Sequence, residues 1–302
     1  MSSPFDWSFP YASRKMPVLA ANAVATSQPL AAQAGLRMLL AGGNAVDSAI
    51  ATAIALTVVE PVMNGIGGDM FALVWHEGRS HGLNSSGCAP AAWTPEYFAG
   101  REAMPATGWG TVTVPGQVAG WKALSDRFGK LPFATLFEPA IAYAENGFPV
   151  SPTIARQWAN QMPKLANEPG FAEAFLPQGR APLPGEWWRF PDQARTLREI
   201  AESGGDSFYR GALAARIADF AARSGGALTA DDLAEHRPEW VEPISQSFRD
   251  YTLHEIPPSG QGISALMALG MLEQFDLESM GRDSADYYLS LIHISEPTRP
   301  ER

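Results

Sequence analysis

Residues 60–90 read EPVMNGIGGDMFALVWHEGRSHGLNSSGCAP, and no other stretch constrains the fold as tightly. A proline stops the preceding element. A glycine turn follows, then an apolar strand, a Glu77-Gly78 turn and a more polar return strand. Two short β-rich runs joined by so tight a turn predict an antiparallel hairpin over 71–76 and 81–86. Gly65, Gly67 and Gly68 remove Cβ atoms from the turn, so that backbone can approach backbone or a ligand. A turn of this kind seated on a strand puts a potential site on a rigid base. It is no phosphate-binding fingerprint, because the glycine spacing differs and a strand follows where a helix should open. A helix-to-strand turn without any ligand explains the same residues.

Helical patterning flanks the hairpin. An apolar face predicts a helix over 29–41, and Gly42-Gly43 supply its stop. Asn44 is the expected cap of the next helix, with Asp47 in its first turn and Pro61 beyond its end. Further helices are expected over 117–128, 132–145, 192–202 and 212–223, with a short one opened by Thr229-Ala-Asp-Asp232. An extended piece is expected at 112–116, and the Pro-, Trp- and Gly-rich region 150–190 reads as loop-bearing. Strands are expected over 241–248 and 251–256, then a helix to about residue 275 and a last one capped by Asp283 or Ser284. Strands do not alternate one-for-one with helices, which predicts an α+β layered fold rather than a doubly wound sheet.

The chain is long enough for one large domain or two ordinary ones, and its formal net charge of −10 argues against a nucleic-acid or anionic-membrane surface as the main partner. The longest apolar stretch, 45–59, is too short to span a bilayer. One cysteine, Cys88, permits no internal disulfide and no cysteine-rich metal site. The N-terminus shows no secretory pattern, and the expected location is the cytoplasm.

No catalytic set closes on spacing alone. His76 and His81 could face one another across the hairpin, but no cysteine or carboxylate cluster completes a metal site around them. Ser259 follows His254 and Asp250 in the chain, yet proximity in sequence is not triad geometry, and no GxSxG elbow is present. Cys88 is expected as a half-buried, inert thiol. Asp231 and Asp232 are explained as helix-start residues. Met267 and Trp187 read as packing residues, although the Trp187-Trp188 pair could line a cleft.

Several segments together resemble the gamma-glutamyltranspeptidase family of N-terminal-nucleophile hydrolases. They are VATSQPLAAQAGLRMLLAGGNAVDSAIA (24–51), VVEPVMNGIGGDMFALV (58–74), APAA (89–92), VPGQVAGW (114–121), LPFATLFEPAIAYAENGFPVS (131–151), DSFYRG (206–211), LTADDLAEHRPEWVEPIS (228–245) and PPSGQG (257–262). They occur in the family's order and cover most of residues 18–289. The resemblance implies the large-subunit portion of a four-layer αββα sandwich, first made as a single precursor. It further implies self-cleavage before a threonine, whose hydroxyl then attacks an amide carbonyl while its own freed amine serves as base. No cofactor or metal is implied.

The sequence departs from the family in two ways. The family's T-T-H-x-S/T-V-x-D segment is absent, and Thr111, Thr113 and Thr298 lack its context. The expected organisation is therefore an arm (1–16), a large-subunit portion (17–290) and a non-native tail (291–302). The expected partners are a small subunit from the same precursor and a small-molecule amide or peptide, with glutathione-type γ-glutamyl amides as the default; no nucleic acid or membrane is expected. The chain alone is expected to be inactive. The second departure is Ser86, which stands where the family has an arginine that grips the γ-glutamyl carboxylate; a serine cannot make that bidentate pair. The resemblance implies that Asn84, Ser85 and Ser86 line the acyl pocket; from backbone chemistry alone, the 65–68 turn is expected to shape the sheet edge beneath it. Two alternatives remain: an acylase for another amide, such as a β-lactam side chain, and a non-catalytic scaffold.

Overall fold

The computed structural model describes residues 19–295; the arm expected at 1–16 and residues 296–302 lie outside it. Helices α1 (Pro29–Leu40) and α2 (Ala45–Val59) pack directly on each other. Gln28 opens α1, its side-chain oxygen accepting from the Leu30 and Ala31 amides, and Pro29 takes the first position, where no N–H is needed. Asn44 and Asp47 form a reciprocal capping box on α2. Alanines at 31, 34, 51 and 55 are wholly buried and let these helices sit deep in the molecule.

Asp47 does more than cap. Its fully buried carboxylate accepts from the amides of Asn44, Lys130 and Leu131, at 2.9–3.3 Å. It thereby ties the start of α2 to the loop after α3 (Gln117–Phe128). The sequence shows the cap but gives no sign of this second grip.

The hairpin forms as expected. Strand β1 (Met70–His76) pairs antiparallel with β2 (Arg79–Ser85), from Met70↔Ser85 to His76↔Arg79. Glu77 and Gly78 both take positive φ in the turn, the twist that tight hairpins favour. Met70, Ala72 and Val74 face the core, while Phe71, Leu73 and Trp75 point outward and remain exposed.

After α3 come a 3₁₀ turn (Phe133–Phe137) and α4 (Glu138–Asn146), where one helix over 132–145 was expected. Two-residue strands β3 (Phe148–Pro149) and β4 (Trp187–Trp188) pair with each other. Between them lie α5 (Pro152–Leu165) and α6 (Phe171–Phe175), which the loop-bearing reading of 150–190 missed. The local signals exist: Ser151 caps α5, Pro152 opens it, and Ile154, Ala155 and Trp158 form its buried side. The surrounding prolines and glycines drown them out.

Next come α7 (Pro191–Glu202), α8 (Asp206–Arg210), α9 (Ala212–Arg223) and α10 (Ala230–Glu235). The strand expected over 241–248 is two strands. Strand β5 (Glu239–Val241) joins the hairpin sheet beside β2, whereas β6 (Ile244–Phe248) pairs with β7 (Tyr251–Glu255) in a separate ribbon. Pro243 lies at the break, where a residue without an N–H cannot continue a ladder. Helices α11 (Gly262–Leu272) and α12 (Ala285–Ser295) close the described chain; the Ser284 hydroxyl accepts from the Tyr287 amide at the start of α12, which runs across residue 290.

The main core runs from Ala31 to Leu213, with a satellite around Ala221, Leu228 and Leu233. Among the described residues all strand pairings are antiparallel, as expected for an α+β fold.

Candidate active-site cavity

The end of β2 is held by contacts too close for side chains. A Cβ on Gly87 would lie 1.4 Å from the Val114 carbonyl oxygen, and one on Gly116 would lie 2.0 Å from that of Ser85. Only glycine fits at either place. The Val114 amide donates to the Cys88 carbonyl at 2.9 Å, locking the two segments edge to edge. The piece expected to be extended at 112–116 therefore forms no strand, yet it frames the site.

The glycine turn behaves differently from expectation. A Cβ on Gly65 would meet nothing, and one on Gly67 would touch only Pro115, at 4.0 Å. Gly68 is tight, and its carbonyl accepts from the Gly116 and Gln117 amides at 3.2 and 3.0 Å. The Gly65 carbonyl accepts from the Gln117 side-chain amide at 3.1 Å, so the turn anchors the start of α3 through Gly65 and Gly68.

A cavity of about 500 Å³ opens at the end of β2. Asn84, Ser86 and Cys88 line one side, and Asp232, Glu235 and Arg237 another, with Ser259 reaching in from the segment before α11. Asn84 sits opposite Glu239 of β5, and its side-chain oxygen accepts from the Ser86 amide at 2.9 Å, turning the chain out of the strand. The Ser86 hydroxyl lies 3.4 Å from that of Ser259. Cys88 is exposed on the wall rather than half-buried.

Ser85 is not on the cavity wall. Strand alternation turns it inward, where it is completely buried and donates to the Gly116 carbonyl at 2.7 Å. Its hydroxyl lies 3.3 Å from His236 Nε2. This serine braces the strand against the segment leading into α3. No substrate can reach it. His236 is 9 % exposed and lies at the centre of this brace.

His236 also stacks on Tyr209, with centroids 5.5 Å apart. Burial lowers its pKa; Asp69 opposes this, while Arg237 and Arg210 add to it. Burial likewise raises the Tyr209 pKa; its hydroxyl donates to the Pro115 carbonyl at 2.9 Å and accepts from the Ala119 amide at 3.0 Å. For Asp232, burial is outweighed by hydrogen bonds from the Ala91 amide and from the Thr229 hydroxyl and amide, so its pKa falls and a fixed anion results.

The other sequence candidates do not converge. His76 pairs with Arg79 and His81 with Val74, and both imidazoles lean on Phe128. His254 faces Ser245 across the β6–β7 ribbon. Met267 and Trp187 are each 60 % exposed, contrary to the packing reading. Among the described residues, no group of three or more His, Cys, Asp or Glu side chains is arranged to hold a metal ion, and no helix is long and apolar enough to cross a membrane.

The fold is the large-subunit portion of an N-terminal-nucleophile hydrolase. It superimposes with a TM-score of 0.90 on a cephalosporin acylase from Bacillus halodurans, at 49 % identity over 97 % of this chain and 56 % of that one. It matches the gamma-glutamyltranspeptidase of Helicobacter pylori with a TM-score of 0.88, at 28 % identity over 93 % of this chain and 83 % of that one. A model of the gamma-glutamyltranspeptidase family matches residues 31–297, and the chain belongs to that family. It is 40 % identical over 266 residues to the glutathione hydrolase-like YwrD proenzyme of Bacillus subtilis (strain 168), covering 87 % of this chain and 51 % of that protein. The chain thus spans about half the length of this curated relative.

Proposed function

We propose that this chain is the large-subunit part of a self-processing amide hydrolase or acyltransferase, and that the cavity at the end of β2 forms its half of the acyl site. The observation that carries this reading is the way the cavity is built. Glycines without room for a Cβ fix a polar strand end, and Asn84 and Ser86 face an open space large enough for a small acyl group. The Ser86 hydroxyl meets that of Ser259 rather than a histidine among the described residues, and this reading assigns the bond-forming group to the remainder of the precursor. The outward face of β1 and the β6–β7 ribbon, with Trp75 and Tyr251 69 % and 79 % exposed, supply apolar surface for that remainder to cover.

Glutathione-type γ-glutamyl amides are the default substrates in this reading. A second reading, an acylase for another amide, draws support from Ser86: a neutral hydroxyl gives no charge-assisted grip on a carboxylate. Purified full-length precursor should resolve into two bands on a denaturing gel and then hydrolyse a γ-glutamyl anilide. A precursor that stays one chain indicates a scaffold. Ser86→Arg should raise γ-glutamyl turnover strongly if that is the substrate, and an unimproved rate favours the acylase. The 302-residue chain alone should split no amide with saturating kinetics.

A further inference from the structure

A second pocket, of about 400 Å³, shares no lining residue with the cavity at the end of β2. Trp109, Val112, Leu165, Pro169 and Phe220 form its apolar walls, and Glu168 is the one charged side chain among the residues that line it. Both rings are held in place. Trp109 Nε1 donates to the Ser224 hydroxyl at 2.8 Å. A Cβ on Gly226 would lie 2.5 Å from Trp109 Cδ2, so backbone closes over that side of the indole. Phe220 of α9 stands 6.0 Å from Trp109, centroid to centroid, with the rings tilted by 56° rather than stacked. The Glu168 carboxylate, just past α5, lies over Gly108, the residue before Trp109. Its two oxygens are 3.4 and 3.6 Å from where a Cβ on Gly108 would stand, and Gly108 lines the same pocket. This carboxylate has no salt bridge and no side-chain hydrogen bond among the described residues. The nearby arginines are engaged elsewhere: Arg223 pairs with Asp219 and leans on Phe220, Arg101 stacks on Phe98, and neither lines the pocket.

We infer that this pocket binds a small, free organic cation of the quaternary ammonium class, held by Trp109, Phe220 and Glu168. The inference goes beyond the acyl-site reading and does not rest on it. An anion entering here is repelled by the carboxylate. A neutral apolar molecule fills the walls but strips water from Glu168 and leaves it without a partner. A cation meets both demands: the ring faces attract it through their quadrupoles, and the carboxylate neutralises it. Methyl groups on the nitrogen suit the site better than N–H groups do. A primary ammonium needs acceptors for three protons, and the lining offers few beyond Glu168; the Thr111 hydroxyl is already turned to the Gly108 carbonyl at 2.8 Å. Val112, Leu165 and Pro169 supply the apolar contact that methyl groups need.

The test titrates choline and its uncharged isostere, 3,3-dimethylbutan-1-ol, into the full-length protein and reads binding by calorimetry, with no amide present. Choline should bind at least about tenfold tighter than the alcohol. Glu168→Gln keeps the shape and removes the charge; it should weaken choline at least about fivefold and leave the alcohol within about twofold. Trp109→Leu should weaken choline by a similar factor. Phe220→Leu, at a ring that is 38 % exposed, serves in its place if the tryptophan variant does not fold, as judged by its melting curve. Equal binding of choline and the alcohol overturns the inference, because it marks a plain apolar cleft. Choline affinity that survives either the charge or the aromatic substitution overturns it too, as does the absence of choline binding. Retention of the protein on phosphatidylcholine vesicles without any binding of free choline makes the occupant a membrane headgroup and likewise overturns it.

Discussion

The α1–α2 pair and the β6–β7–α11–α12 region are both built from short apolar elements, yet they end in opposite states. In the first, residues such as Ala34, Ile54 and Val58 are wholly buried, and Asp47 is saturated with hydrogen-bond donors. In the second, only Ile256, Leu266 and Leu272 are buried hydrophobics, and none belongs to either core cluster. Met267, Phe275, Tyr288 and Ile292 are exposed by 42–60 %. Helix α11 is as apolar as a core helix but packs mainly on the ribbon and α12. Apolar sequence sets the demand for burial; a second layer must be present to satisfy it. The first region finds its layer within this chain, and the second finds only part of one.

Asp47→Ala gives the sharpest way to break the contrast. Removing a buried carboxylate that serves the amides of Asn44, Lys130 and Leu131 leaves donors without partners. The expected loss is about 4 kcal/mol in chemical denaturation, enough to unfold a marginal chain. Gly116→Ala should cost about 3 kcal/mol, because the new methyl collides with the Ser85 carbonyl and backbone must move. Leu266→Ala in α11 should cost only about 1–2 kcal/mol, toward the low end for a core leucine, since the side chain has few buried neighbours. Hydrogen exchange of α11 amides should likewise run faster than that of α2 amides, and equal protection would erase the comparison. Gly65→Ala, in open space, should change stability by less than about 0.5 kcal/mol.

A pH effect sharpens the same picture at the Ser85–His236 brace. The folded-state pKa of His236 lies below its unfolded value, so its contribution is fully present above the unfolded pKa and is lost as pH falls through the folded one. Melting temperatures should therefore drop on acidification from neutral pH. His236→Gln should flatten that drop, and an unaltered slope would remove His236 as its source.

The hairpin was legible because its signals are local: alternation, a Glu-Gly turn, a proline before it. The caps on α2 and α10 were legible for the same reason. Helix α5 was not, because its two prolines and the Pro-, Trp- and Gly-rich chain around it look like loop composition until Trp158 is seen buried against Trp188 and Phe190. Asn84 and Ser86 line the cavity and Ser85 is buried behind it, while Asp232, His236 and Arg237 come from chain some 150 residues away, which no local pattern can announce.

What the sequence determined alone was the hairpin, the caps and most of the helices, since turns, caps and periodicity are properties of neighbours along the chain. Which face of that strand meets solvent, which glycines are indispensable and which cation shares the cavity were decided only in three dimensions. Those answers depend on where Val114, Gly116 and residues 232–239 come to rest, and distant segments acquire a distance from one another only by packing.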